Sequence, residues 1–276
     1  ELREKTGAGL MDCKKALSET QGDFSKAIDF LKRQGILKAA KKSDRVTKEG
    51  LVMEAVDSKG SSASLVEVNC ETDFVARTDD FQNYVSALAG EILKTKPASL
   101  EALQSVPFSG QTVDSSLKAL IARLGENIGI RRFKTVQAEG TNQKVAVYVH
   151  GGNKIGAIVR MEGKTDKLTP EVLKEVAMHV VAMNPQFLDG ASVPEEISQR
   201  EKANIKASPE LKSKPAEMVD KIVEGKYRKF LSEICLLDQM FIKDTTGKNS
   251  VQKSLQGIDS SLKVLQFVRY QVGEEA

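Results

Sequence analysis

Two stretches of this chain read as copies of one pattern. Shifting the second half back by 93 positions lays Ala157-Ile158-Val159-Arg160-Met161-Glu162-Gly163-Lys164-Thr165-Asp166 on Ser64-Leu65-Val66-Glu67-Val68-Asn69-Cys70-Glu71-Thr72-Asp73, with both Thr-Asp pairs in register. The same order of elements surrounds each copy. Residues 51–56 and 64–69 are strand-like runs joined by the turn-rich Asp57-Ser58-Lys59-Gly60-Ser61-Ser62, which predicts a hairpin. Residues 81–93 place Phe81, Tyr84, Val85, Leu88 and Ile92 on one helical face, 115–125 is a further helical stretch, and 128–136 alternates as a third strand. In the second half, 144–150 and 155–161 flank a Gly151-Gly152-Asn153 turn, a helix follows over 170–183, and two more helical stretches lead to a closing strand over 264–272. A degenerate duplication of a strand-strand-helix-strand unit predicts an α+β fold, with helices laid against antiparallel sheets.

The first fifty residues have a different period. Leu10, Cys13, Ala16 and Leu17 recur at helical spacing and form one apolar stripe before Gly22 stops the helix. Asp23 is placed to cap a second helix carrying Phe24, Ala27, Ile28 and Leu31, which Gly35 ends; 36–42 is a third, and the polar stretch 41–50 is a linker. Helices this short are marginal alone and must pack on something. Residues 1–50 also hold 12 Lys and Arg against 8 Asp and Glu, while the remainder holds 29 against 30. The positive excess is therefore N-terminal, either steering an anionic partner or forming a solvated helical face.

Few residues are available for chemistry. Cys13, Cys70 and Cys235 are far apart and odd in number, which argues against a disulfide framework or a paired-cysteine metal site. The histidines are His150 and His179; His179 lies among Val176, Ala177, Val180 and Val181 and reads as a core residue, whereas His150 at a strand end is the better contact candidate. Gly151 and Gly156 have phosphate-loop separation, but Ala157 and Ile158 stand where Lys and Ser or Thr are needed. Thr6-Gly7-Ala8-Gly9 opens a helix without the preceding strand of a dinucleotide site. Cys70 beside Glu71 has no adjacent histidine, and an adjacent acid raises a thiol pKa. A basic RNA-binding or ribosome-associated module is the competing class; 5% aromatic content without Trp speaks against it. No stretch approaches the ~18 apolar residues of a membrane span, nor does an apolar signal region follow a basic start, so neither insertion nor secretion is expected.

The segment Glu71-Thr72-Asp73-Phe74-Val75-Ala76-Arg77 stands between strand and helix. In one reading Asp73 caps the helix and Phe74 folds back into the core as a staple. In the other, Phe74 is an exposed aromatic beside a carboxylate, the composition of an interface anchor. The duplicated half supplies a control: the position equivalent to Phe74 is Lys167, so the fold itself does not demand an aromatic there.

Thr6-Gly7-Ala8-Gly9-Leu10-Met11-Asp12-Cys13-Lys14-Lys15-Ala16-Leu17 and Glu67-Val68-Asn69-Cys70-Glu71-Thr72-Asp73-Phe74-Val75-Ala76 closely resemble the two hallmark motifs of the translation elongation factor Ts family. Gly125-Glu126-Asn127-Ile128, Ile130-Arg131-Arg132, Ala177-Met178-His179-Val180 and Lys221-Ile222-Val223-Glu224-Gly225 add matches in family order. The resemblance implies a ubiquitin-associated-like three-helix N-terminal domain over 1–48 and a core of two related antiparallel-sheet-plus-helix subdomains, 49–139 and 140–276. It implies guanine nucleotide exchange on the protein GTPase elongation factor Tu, with no catalytic residue, no cofactor, no metal of its own, no direct nucleic-acid contact and no membrane; self-association stays open. Leu10 and Met11 would meet the partner's GTPase domain. Asp73 and Phe74, flanked by Thr72 and Val75, would insert near its bound magnesium. Gly125, Ile128 and His150 would be further contacts. Phe241 and Ile242 belong to a tip where the family carries Gln-Pro-Phe-Val and this chain carries Gln239-Met240-Phe241-Ile242. A bacterial cytoplasm, or an organelle matrix, is the compartment implied.

Overall fold

A computed structural model describes residues 1–211 and 214–275. The chain opens with three helices, α1 (Leu2–Thr6), α2 (Leu10–Glu19) and α3 (Phe24–Ala40). Then come β1 (Glu49–Val56), β2 (Ser62–Cys70), the single turn α4 (Asp73–Ala76), α5 (Asp79–Thr95) and α6 (Leu100–Gln104). A two-residue-stranded hairpin, β3 (Pro107–Phe108) and β4 (Gln111–Thr112), leads to α7 (Val113–Leu124) and β5 (Ile128–Gln137). The second half is built from β6 (Gln143–His150), β7 (Ile155–Glu162), α8 (Pro170–Met183), α9 (Glu195–Ala207), α10 (Ala216–Ile234), α11 (Val251–Ile258) and β8 (Lys263–Gln271). The fold is α+β, as the alternating periods predict.

Every residue of β2 is buried, which tells how the layers stack. β2 is the central strand of the antiparallel sheet β1-β2-β5, as β7 is of β6-β7-β8. Side chains alternate across a strand. Val66, Val68 and Cys70 therefore pack with Phe81, Val85 and Leu88 of α5, and Ser64 on the same side donates its hydroxyl to the Ala89 carbonyl at 2.7 Å. Ala63 and Leu65 point the other way and meet Val145 and Ile158 of the second sheet. Ala157, Val159 and Met161 in turn face Val176 and Val180 of α8. The core is thus four layers, helix-sheet-sheet-helix, and a strand covered on both faces has no polar side to show.

The duplication extends to an irregularity. In the first sheet Glu67 pairs with Arg132 and Val68 with Ile130, leaving Arg131 as the extra residue of a bulge; in the second Arg160 pairs with Gln266 and Met161 with Val264, leaving Leu265 extra. Glu67 and Arg160 are 93 residues apart, the same shift that aligns the sequences. Bulges bend and twist a strand, so both sheets curve at the equivalent place.

The two halves diverge after their first helices. Between α8 and β8 the described residues form three α-helices, one more than the periodicity predicts; α11 holds eight residues, too few turns for its period to stand out. α9 and α10 form a hairpin joined by Ile205, Leu211, Val219 and Val223. At the N-terminus, the expected stop at Gly35 does not occur and α3 runs on to Ala40. A Cβ at Gly35 would lie 3.5 Å from that of Ala122 on α7, at ordinary van der Waals contact, so this glycine sits where α3 packs on α7 and is not an end. The two predicted helices there are one, and the unpredicted α1, with buried Leu2, completes the group. Leu10 also leaves its predicted stripe: Cys13, Ala16 and Ala27 are buried while Leu10 is 67% exposed.

The face of β2 that meets the second sheet also carries a charge. Glu67 is fully buried. Arg132 Nε donates to its carboxylate at 2.6 Å, Asn69 Nδ2 at 3.1 Å and the Gly273 backbone N–H at 3.0 Å. The Arg132 guanidinium lies 4.4 Å from the centre of the Tyr270 ring and donates to the Gln271 carbonyl at 3.2 Å. One ion pair therefore ties the chain that leaves β8 to the first sheet.

Candidate functional site

β2 ends in a loop whose fixing groups come from elsewhere in the sequence. Thr72 caps α4, its Oγ1 accepting from Val75 N at 3.3 Å, and Thr78 caps α5 in the same way toward Phe81 N. Asp73, the expected cap, instead pairs with Arg77 one turn on, at 2.9 Å. Val75 and Ala76 are buried in the first-half core. Glu126, just after α7, accepts from the Glu71 and Thr72 backbone N–H groups at 3.1 and 3.0 Å and from the Thr72 hydroxyl at 2.5 Å. Reciprocally, Glu71 accepts from Asn127 N at 2.6 Å and from Arg45 at 3.4 Å, while Asn127 Nδ2 donates to the Ser43 and Arg45 carbonyls. The Asn127 N–H, and after it the Arg45 charge, hold the Glu71 carboxyl below its ordinary range.

On this turn Phe74 points outward. It is 80% exposed, more than any other large hydrophobic side chain among the described residues. The staple reading therefore fails, and Lys167, its counterpart in the second half, is likewise exposed. A phenyl ring that stands in water on an anchored turn adds almost nothing to the stability of the free chain and has the composition of an interface anchor.

The other residues singled out from the sequence separate by burial. Leu10 and Met11 are 67% and 73% exposed at the start of α2. His150 is exposed at the end of β6, stacked on Tyr148 and hydrogen-bonded to its hydroxyl through Nδ1 at 2.8 Å. Gly125 is exposed and ends α7 in the left-handed conformation, φ 82°, so the chain can turn sharply into Glu126. Val75, Ile128 and Phe241 are buried, so their side chains support neighbours and present no surface themselves. Sequence reasoning missed the roles of Glu126, Asn127 and Arg45. Glu126 and Asn127 stood out only as part of a motif, and no local pattern joins them to Glu71 and Thr72.

Ile242 is exposed on a tip organised by a buried histidine. His179 is fully buried; Ile242 N donates to Nδ1 at 3.2 Å, which leaves Nε2 to donate to Gln239 Oε1 at 3.0 Å. The Gln239 amide donates in turn to the Met183 and Glu233 carbonyls. Phe241 packs against the imidazole, ring centres 5.5 Å apart, and Met240 stands 46% exposed. Burial lowers the His179 pKa from 6.5 to about 4. In that interval the unfolded chain binds the proton and the folded chain does not, so stability is full above pH 6.5 and falls as pH drops toward 4. The loss traceable to this residue is up to about 3 kcal/mol. Urea unfolding between pH 7 and 4.5 should show it, with a visibly flatter dependence in His179→Gln; equal slopes would place the proton elsewhere.

The thiol of Cys70 is pushed up to about 12, chiefly by burial and then by the Glu126 charge, which removes it as a nucleophile near neutral pH. No group of three or more His, Cys, Asp or Glu among the described residues could hold a metal ion. No helix among them is long and apolar enough to cross a membrane.

Comparison with known proteins bears on the whole chain. A family model described as Elongation factor TS matches residues 71–274. Elongation factor Ts of a Nitratiruptor species is 43% identical over 279 residues, covering 99% of this chain and 91% of that protein. With the duplicated core and the Thr72-Asp73-Phe74 turn, these matches establish that the chain belongs to the elongation factor Ts family, with a role in translation elongation.

Proposed function

We propose that this chain is a guanine nucleotide exchange factor that binds elongation factor Tu carrying GDP and promotes release of the nucleotide by driving Phe74, with Asp73 beside it, into the region of the partner's magnesium and phosphate site. The observation that carries this reading is the exposure of Phe74 on a turn held from three directions. GDP is held through its phosphates by a magnesium ion and a positive cradle, so disturbing the metal leaves phosphate charge uncompensated and lowers the barrier to release. No bond is made or broken in this, and no reactive group is needed.

One ring does not suffice. A 10⁴-fold acceleration requires the barrier to fall by about 5.5 kcal/mol, whereas burying one phenyl contributes roughly 1.5–3 kcal/mol. Further contacts must hold the partner in its opened state. The exposed Leu10 and Met11 of a helical domain over 1–48 are suited to the partner's GTPase domain, while His150 and Ile242 of a second core subdomain, 140–276, are suited to a more distant part of it. The first core subdomain, 49–139, carries the Phe74 turn. By linkage, GDP must weaken binding of this chain by the same factor by which the chain weakens GDP.

Release of a fluorescent GDP from elongation factor Tu, followed with and without this chain, tests the reading. The expected result, with excess unlabelled GDP present to trap the emptied partner, is a release rate that rises with chain concentration. An unchanged rate, with salt-sensitive retention on RNA instead, would favour the competing RNA-binding class.

A further inference from the structure

From the geometry around α4 we infer that Glu126 is a positioning residue for exchange: its carboxylate sets the direction in which Phe74 is presented, although it lies 52 positions away in sequence. This rests on the proposed role of Phe74. α4 has four residues, too few to persist as a helix through its own hydrogen bonds. Its far end is held by Val75 and Ala76 in the core. Its near end depends on Glu126. The Thr72 hydroxyl has one proton, and in giving it to Glu126 Oε1 at 2.5 Å it turns its lone pairs toward Val75 N, the bond that caps the turn. Glu126 Oε2 takes up the two backbone N–H groups that precede the helix. One carboxylate thus satisfies three donors where β2 gives way to α4, and charge-assisted bonds of this kind are stronger than neutral ones. Without it the cap loses its orientation and the Glu71 and Thr72 amides lose their partner. The turn then opens at the residue before Asp73 and Phe74, and the ring is offered in many directions in place of one.

Glu126 itself comes from the sharp turn at Gly125, and the adjacent Asn127 binds the Ser43 and Arg45 carbonyls of the chain leaving α3. The same two-residue step therefore braces the Phe74 turn and the exit of the N-terminal helices. A glutamine at 126 is isosteric and keeps one oxygen for the two backbone donors, with its amide able to donate to Thr72 Oγ1, so it should restore most of the function.

The test compares GDP release from elongation factor Tu by the full-length chain and by Glu126→Ala, Glu126→Gln, Phe74→Ala and the Glu126→Ala/Phe74→Ala double variant, alongside amide exchange at Glu71 and Thr72. The expected results are about tenfold slower release for Glu126→Ala with lost protection of both amides, and release within about twofold of the unmodified chain for Glu126→Gln. Because Glu126 acts through the ring, the double variant should be no more than about twofold slower than Phe74→Ala alone, whereas a merely structural role would multiply the two losses. Slow release by Phe74→Ala with normal release by Glu126→Ala, or multiplied losses, overturns this inference alone. Normal release by Phe74→Ala overturns the proposed role of the ring and this inference with it. Should Glu126→Ala not fold, Thr72→Val removes the same hydroxyl contact, and release by it within about twofold of the unmodified chain would also overturn the inference.

Discussion

Phe74→Ala leaves the fold unchanged and slows GDP release from elongation factor Tu by about 10- to 150-fold. Both halves of this expected result follow from exposure. With 80% of its surface in water, the ring makes almost no contribution to the free chain, so its loss should change unfolding free energy by no more than about 0.5 kcal/mol. What it gains is gained on the partner, where burying a phenyl contributes roughly 1.5–3 kcal/mol and each ~1.4 kcal/mol is a tenfold change in rate. The effect stops short of abolishing exchange, because the remaining contacts still hold the opened partner. Stopped-flow release at saturating chain, with thermal unfolding of the variant as control, makes the measurement. A variant that melts normally and exchanges at the full rate would leave no wedge role for this residue.

Arg132→Leu should destabilise the chain by about 3–5 kcal/mol, the largest effect expected of any single substitution here. The cost does not come from losing a favourable salt bridge, since a buried ion pair is often no better than well-packed hydrocarbon. It comes from leaving the fully buried Glu67 carboxylate between two sheets without its cation. Asn69 and the Gly273 N–H would remain as donors, too few to replace a guanidinium at 2.6 Å. The stacking of Arg132 on Tyr270 and its bond to the Gln271 carbonyl disappear together, so the segment after β8 should also lose amide protection. Removing both charges, as Glu67→Leu with Arg132→Met, should recover most of the stability. Urea unfolding of the three proteins decides the matter: a single variant within about 1 kcal/mol of the parent, or a double variant no better than the single, would contradict this account.

The ion pair and the Phe74 turn were unequally legible in the sequence. The strands and main helices of both halves stand close to where their periods place them, because alternation and the 3.6-residue repeat are local properties that burial on one face enforces directly. Asp23 caps α3, its carboxylate accepting from Lys26 N at 3.0 Å, as its position before an apolar helical run predicts. Gly35 misled for an equally local reason. Glycine weakens a helix by about 1 kcal/mol, and only the packing of α3 on α7 at this turn shows what outweighs that cost. Leu10 misled because helical spacing says which residues share a face but not which face is covered.

What the sequence determined by itself is the doubled strand-strand-helix-strand plan, the family and the short list of residues around Phe74, since all of these are written in neighbouring positions. What only the tertiary structure decided is that the ring faces water, that Val75, Ile128 and Phe241 do not, and that Glu126, Asn127 and Arg45 brace the turn. Those facts depend on which distant segments meet. Exposure is a property of everything that packs around a side chain, and a hydrogen bond between residues 72 and 126 leaves no period in the sequence for either one to announce.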